Sequence, residues 1–164
     1  LSKLDYDKME WNMKKLNIKN ILKDCAQKME ISAKQKNQSI TFEADENMPE
    51  INGDKDRIEQ VFINIISNAI KYTPEGGSIH IRAEVKDTGI EARIKDTGIG
   101  IPKEDLPRLF ERFYRVDKAR SRMMGGTGLG LSIAKNIVEA HKGSIRIESE
   151  NGKGTEVILN FPAA

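Results

Sequence analysis

The run DKDRIEQVFINIISNAIKYTP, residues 54–74, reads as one helix with two faces of different chemistry. Asp54 stands where an N-cap belongs, and Pro74 lacks the N–H that a further turn would need, so the sequence itself bounds the helix. At about 100° per residue, Ile58, Val61, Phe62, Ile65, Ile66 and Ala69 gather on one side as a core-facing stripe. Asn64, Asn68 and Lys71 fall within roughly 60° of one another on the opposite side. A polar face is ordinarily solvated, but asparagine is a poor helix former, and two of them add nothing to helix stability. Amide oxygens are hard ligands suited to Mg²⁺, and an ammonium binds phosphate as a point charge. A solvated surface and a ligand-binding face are the two readings of these residues.

Outward from this helix the chain alternates between two periods. Upstream, Met9, Trp11 and Met13 alternate with polar residues as in a short strand. Ile18, Ile21, Leu22, Cys25 and Met29 then repeat with helical spacing, with Asn17 as N-cap and an end near Lys36. SITFEA, residues 39–44, is the next strand, closed by the polar DENMPE. Downstream, GGSIHIRAEV and GIEARIK alternate in period two across KDTG and predict an antiparallel hairpin. A further helix runs to His141, whose imidazole, partly positive, would suit the helix dipole, and Gly143 stands where a C′ glycine belongs. SIRIESENGKGTEVILNFP ends the chain as a second hairpin turning at ENGKG. Grouped strands and helices of this kind predict an α+β sandwich, with helices on one face of a mixed sheet.

Bulk properties narrow the function. At 164 residues, one domain with a short appendage is expected: residues 1–8 as a linker or the end of a preceding helix, and residues 9–164 as the domain. The 27 basic and 25 acidic residues nearly cancel and are interspersed, which makes no case for nucleic acid. Cys25, the only cysteine, can form no internal disulfide, lies on the apolar stripe of its helix and suits a reducing compartment. No apolar run reaches the ~18 residues of a membrane span. The start at Leu1 rather than Met suggests a piece of something longer.

Two glycine-rich stretches carry the remaining chemistry. DTGIGIP, residues 96–102, follows a strand directly; its acidic residue is acceptor-only and can take the protons of an amino group, as on an adenine ring. Read alone, it is equally a surface turn. GGTGLGLS, residues 125–132, opens a helix and permits either a tight turn or a phosphate cradle at the helix N-terminus. It is neither the G-x-G-x-x-G dinucleotide fingerprint nor a Walker A loop, which needs G-K-[ST].

The order of the motifs is more specific than any one of them. N-x-x-x-N-A-x-K-Y on a helix, D-x-G-x-G after a hairpin, F-x-x-F-Y-R, and G-T-G-L-G-L opening a helix together closely resemble the ATP-binding catalytic domain of bacterial sensor histidine kinases. That superfamily is shared with gyrase, a heat-shock chaperone and mismatch-repair ATPases, and the resemblance covers almost the whole chain past residue 9. It implies a two-layer α/β sandwich of the Bergerat type, with a mixed, mostly antiparallel sheet, three main helices on one face and a mobile ATP lid. It further implies ATP or ADP and Mg²⁺ as ligands. Asn68 would hold the metal with Asn64 assisting, Lys71 would reach the phosphates, and Tyr72 would pack on the nucleotide. Asp96 would take the adenine amino group, with Gly98, Gly100 and Ile101 shaping the pocket. Phe110 and Phe113 would anchor the lid, and Arg115 would approach the phosphates. Gly126, Thr127, Gly128, Leu129 and Gly130 would bring backbone N–H groups to the phosphates, and Thr155 would sit near the adenine. The lid itself would be VDKARSRMM, residues 116–124, whose spelling with the preceding RFYR is similar to cell-wall and phosphate-sensing kinases of Gram-positive bacteria.

Two absences shape the expected mechanism. Neither His80, read as exposed on its strand, nor His141 stands in an H-E-x-x-T-P-like acceptor context. The phosphorylated histidine would therefore lie on a dimerisation and acceptor domain elsewhere in the parent protein, itself expected to be a membrane-bound sensor with this part in the cytoplasm. A response regulator would be served through the full-length kinase, and the fragment would be monomeric. The ATPase relatives place a glutamate where this chain has Asn64, and an amide is no general base, so slow hydrolysis is expected. Glu59 is the one nearby carboxylate of this helix that complicates the point. An ATP hydrolase of the same superfamily and a non-catalytic nucleotide-binding or docking module are the competing readings.

Overall fold

The computed structural model describes residues 11–101, 104 and 130–164. Within them the chain runs β1 (Met13–Leu16), α1 (Ile18–Gln35), β2 (Ser39–Ala44), β3 (Ile51–Asp54), α2 (Lys55–Tyr72), β4 (Ser78–Lys86), β5 (Gly89–Asp96), α3 (Gly130–Ala140), β6 (Ser144–Glu150) and β7 (Gly154–Pro162). Five strands form one sheet in the order β2-β4-β5-β7-β6, while β1 and β3 pair as a separate two-stranded ribbon. Only β2 and β4 run parallel; the other neighbours are antiparallel. The expected mixed sheet with three helices is the observed architecture.

Local chemistry sets the helix ends. The Asn17 side chain accepts the Asn20 N–H, and Asp54 Oδ1 accepts the Arg57 N–H, which satisfies donors that have no intrahelical partner. Helix α1 closes at Asn37, which takes the left-handed conformation at φ 53° while the Gln38 N–H returns to the Ala33 carbonyl. Helix α3 closes in the same way, with a correction: the left-handed residue is Lys142 at φ 62°, not Gly143. The Gly143 N–H makes the return bond to the Val138 carbonyl, and a Cβ at 143 would lie 2.2 Å from the Asn160 carbonyl oxygen. The glycine is there for close approach to β7.

The core lies between the sheet and the helices. Ile18, Leu22 and Cys25 of α1 and Ile58, Phe62 and Ile66 of α2 are fully buried, as are Ile79 and Ile81 of β4, Ile137 of α3 and Leu159 of β7. Each such side chain contributes about 1.5–3 kcal/mol by leaving water. The other sheet face is charged and largely self-neutralising: Arg82 opposes Arg93 and Glu84 opposes Glu91 across β4 and β5. Arg82 pairs with Glu84 on its own strand, and Arg93 pairs with both Glu91 and Glu156. His80 belongs to this outer face, 40% exposed in its side chain and bonded to Thr41.

Two further expectations change. The first described strand takes in Met13 but not Trp11, pairing with Ile51–Asp54 in register Met13 to Asp54 and Leu16 to Ile51, while Met9 lies outside the described residues. The imidazole of His141 is buried and holds two bonds: one ring nitrogen, Nδ1, meets the Ile137 carbonyl at 2.7 Å, and Nε2 accepts the Asp54 N–H at 3.0 Å. One donor and one acceptor describe a neutral ring, so it serves as a tether between α3 and the start of α2 and not as a positive charge on the dipole.

Candidate functional site

Strand β5 ends by carrying the Asp96 carboxylate into the protein, where the residue is 7% exposed. Its Oδ1 accepts the Gly98 N–H at 2.8 Å and the Thr155 N–H at 3.1 Å. Both of these bonds go to Oδ1, and among the described residues Oδ2 receives none, which leaves one acceptor for a donor from outside. Burial raises the carboxyl pKa above its ordinary value, while the two N–H groups pull it back. The carboxylate is thus oriented on one side and open on the other.

The loop that follows is fixed from two directions. The Ile99 N–H donates to the Tyr72 carbonyl at 3.2 Å, which joins the loop to the last turn of α2. Opposite, the Gly152 N–H donates to the Ile99 carbonyl at 2.6 Å, and the Ile101 N–H donates to Ser149 Oγ at 2.8 Å. That hydroxyl also reaches the Gly154 carbonyl and the Thr155 hydroxyl. Gly98 and Gly100 make the approach possible: a Cβ on either would lie 2.6 Å from the Tyr72 oxygen or 2.0 Å from the Glu150 oxygen, and Gly100 has φ +74°. Ser149 is a site neighbour that sequence reasoning missed, since a serine in an alternating strand carries no distinguishing signal.

Helix α2 supplies the polar wall. From Val61 to Tyr72 no residue is exposed, and Asn64, Asn68, Lys71 and Tyr72 are all half-buried. This face is therefore half-buried and not fully exposed. Glu59 points elsewhere: its carboxylate is 4.0 Å from Lys28 of α1. No general base reaches the Asn64 face from that position.

The structure thus brings Asp96, Gly98, Gly100, Ile101 and Thr155 together with the last turn of α2, and Asn64, Asn68 and Lys71 continue along that helix. Gly130 opens α3 as expected. Phe110, Phe113, Arg115, Gly126, Thr127, Gly128, Leu129 and the expected lid at 116–124 lie outside the described residues. Among the described residues no group of three or more His, Cys, Asp or Glu could hold a metal ion. Nor is any described helix long and apolar enough to cross a membrane.

A two-layer α/β sandwich with a half-used buried carboxylate at a strand end, a glycine-bent loop and an amide-bearing helix wall is the frame of a nucleotide-binding domain. The chain belongs to the histidine kinase-, DNA gyrase B- and HSP90-like ATPase family, whose model matches residues 53–164. It is 42% identical over 164 residues to sensor histidine kinase WalK of Bacillus subtilis (strain 168), covering 99% of this chain but 27% of WalK. The catalytic domain of histidine kinase ThkA, in a nucleotide-free form, superposes with a TM-score of 0.80 at 31% identity, over 94% of this chain and 97% of that one. Full-length ShkA in complex with AMPPNP gives 0.81 at 29% identity, over 95% of this chain and 32% of ShkA. This chain thus spans 27% of the length of WalK and 32% of ShkA.

Proposed function

We propose that this chain binds Mg²⁺-ATP between α2 and the Asp96–Ile101 loop and transfers the γ-phosphoryl group to a histidine on a separate domain. The observation that carries the reading is Asp96: a buried carboxylate with Oδ1 committed to two backbone N–H groups and Oδ2 left to accept an adenine amino group. Thr155 flanks it through its own N–H, and Tyr72 lies within the turn that receives the loop. Asn68, with Asn64 one turn earlier, fits a Mg²⁺ ion because this hard cation commonly takes only one or two protein oxygens and completes its shell with water and phosphate. Bound there, the ion would neutralise phosphate charge. Lys71 would hold the same phosphates as a point charge, and Arg115 and the Gly126–Gly130 segment would add cationic and N–H donors.

In the transfer, the imidazole nitrogen of the acceptor bonds to the γ-phosphorus as the bond to the bridging β,γ oxygen breaks, and ADP leaves with that electron pair. This chain would contribute positioning and charge stabilisation. The proton leaving the acceptor ring would pass to a base outside it, since Asn64 is an amide and Glu59 faces Lys28. Residues 1–8 would link to the dimerisation and acceptor domain, a response regulator would receive the phosphoryl group from the assembled kinase, and the parent would be a membrane-bound sensor with this domain in the cytoplasm. Mixing the chain with Mg²⁺-ATP and a separately made acceptor domain should yield acid-labile phosphate on histidine. Asn68→Ala should abolish it. Steady phosphate release without an acceptor would favour a hydrolase, and nucleotide binding without transfer would favour a docking module.

A further inference from the structure

The C-terminus of α2 presents an unusual accounting. Within a continuing helix, the Ile70 carbonyl would accept from the N–H of residue 74, but residue 74 is proline and has none. The carbonyls of Ile70, Lys71, Tyr72 and Thr73 are nevertheless all taken, by groups from outside the helix. The Lys36 ammonium donates to Ile70 at 2.9 Å, Lys71 at 3.3 Å and Thr73 at 2.8 Å. Gln38 Nε2 also donates to Ile70 and Thr73, at 3.0 and 2.6 Å, and the Ile99 N–H takes the Tyr72 oxygen. Three N–H donors of one ammonium meet three carbonyls at the negative end of a helix dipole.

Gln38 duplicates two of the three contacts, whereas the Lys71 carbonyl has Lys36 as its donor from outside the helix among the described residues. The segment around Lys36 is further zipped to the end of α2. Gly76 N–H donates to the Lys36 carbonyl, Ser39 N–H to the Gly77 carbonyl, and Asn37 Nδ2 to Glu75. Lys36 thus grips the turn bearing Lys71 and Tyr72 from one side, while the Asp96–Ile101 loop hangs from the same turn by the Ile99 N–H.

We infer that Lys36 is a positioning residue for the nucleotide site: its ammonium fixes the last turn of α2, and through the Tyr72 carbonyl it fixes the loop that carries Asp96. The inference rests on the reading of that cleft as the nucleotide site. Charge-assisted bonds are roughly twice as strong as neutral ones, so Lys36→Met, which keeps most of the stem and loses every donor, removes the strongest part of the cap.

The test measures trinitrophenyl-ATP affinity in Mg²⁺ together with amide hydrogen exchange, below the melting temperature of each variant. Lys36→Met is expected to weaken nucleotide binding about ten-fold. It should also speed exchange of the Ile99 amide well beyond that of Ala92 in the middle of β5. Lys36→Arg, which keeps cationic donors, should restore most of the affinity, and Lys34→Met, an equal change of charge in the exposed last turn of α1, should leave both unchanged. If Lys36→Met does not fold, Lys36→Gln, with two donors and no charge, should give an intermediate loss. Parental affinity in Lys36→Met, or in Lys36→Gln where that variant stands in for it, would overturn the inference, as would equal acceleration at Ile99 and Ala92, which marks general loosening. Failure of the parent chain itself to bind nucleotide would remove the site reading and the inference with it.

Discussion

The main-chain N–H of Asp54 donates to Nε2 of His141 at 3.0 Å, so the residue that caps α2 also holds the residue that closes α3. Trp11 packs edge-on against the same imidazole with ring centroids 5.7 Å apart, and Arg57 lies over the Trp11 ring at 4.7 Å. Phe161 of β7 meets the imidazole from another side. One small ring thus joins the start of the described chain, both helices and the sheet. His141→Leu would fill much of the volume but strand a buried N–H, at a cost of about 1–3 kcal/mol. A lowered thermal midpoint with changed fluorescence of Trp11, the sole tryptophan, is the expected result; an unchanged midpoint would show that the tether contributes nothing.

At Asp96 stability and binding should separate. Its carboxyl pKa is raised by burial, although the Gly98 and Thr155 N–H groups oppose the shift. A raised folded-state pKa means that the group stabilises the fold below its unfolded pKa and loses that contribution as pH rises through the folded one. Asp96→Asn can keep both bonds to Oδ1 while removing the charge. Its melting temperature should therefore match or exceed the parent's, with the difference growing as pH rises above the ordinary aspartate range. Nucleotide affinity should fall at least about 100-fold, because an amide NH₂ would face the adenine amino group donor to donor. Calorimetric melts across that rise in pH, paired with nucleotide titration, check both halves.

Cys25 should be silent in the folded protein. Burial pushes its thiol up from 9.0 to about 11, with the Glu59 charge adding to the effect. A thiol-specific reagent at about pH 8 needs thiolate and access, and the folded chain offers neither. Labelling should follow global opening, be complete in denaturant, and leave the folded protein unmodified over hours; prompt labelling under native conditions would contradict the packing of α1 on α2.

Legibility in the sequence followed the range of the forces. The caps at Asn17 and Asp54, the stop at Pro74 and the turns of both hairpins act within a few residues, and each is found where local chemistry puts it. Strand β3 escaped because INGD holds a single apolar residue, and its partner lies roughly forty residues upstream. The role of His141 was misread for a related reason: dipole reasoning treats the ring as exposed, whereas Trp11 and Phe161, distant in sequence, enclose it. Asn64, Asn68 and Asp96 were legible as chemistry out of place in ordinary helix and strand. Lys36 and Ser149 were not, because their work is done on carbonyls and N–H groups of other segments, and no period records that.

The strongest test of the site geometry compares two glycines on either side of one contact. Gly100 and Gly152 both hold left-handed φ, +74° and +85°, and their neighbourhoods are joined by the Gly152 N–H bond to Ile99. A Cβ at Gly152 meets nothing within 4 Å, so Gly152→Ala carries only backbone strain, about 1 kcal/mol. A Cβ at Gly100 would fall 2.0 Å from the Glu150 oxygen, which is backbone and cannot rotate aside. Gly100→Ala must push the loop off the β6–β7 turn, stretching the Ile101 bond to Ser149 and displacing the segment that ends at Asp96. A small loss of thermal stability is expected for Gly152→Ala, with nucleotide affinity within about two-fold of the parent. Gly100→Ala should cost more stability and at least about ten-fold in affinity, since its clash lies inside the site. Equal affinities for the two variants would mean that the Asp96–Ile101 loop does not need its contact with the β6–β7 turn to bind nucleotide.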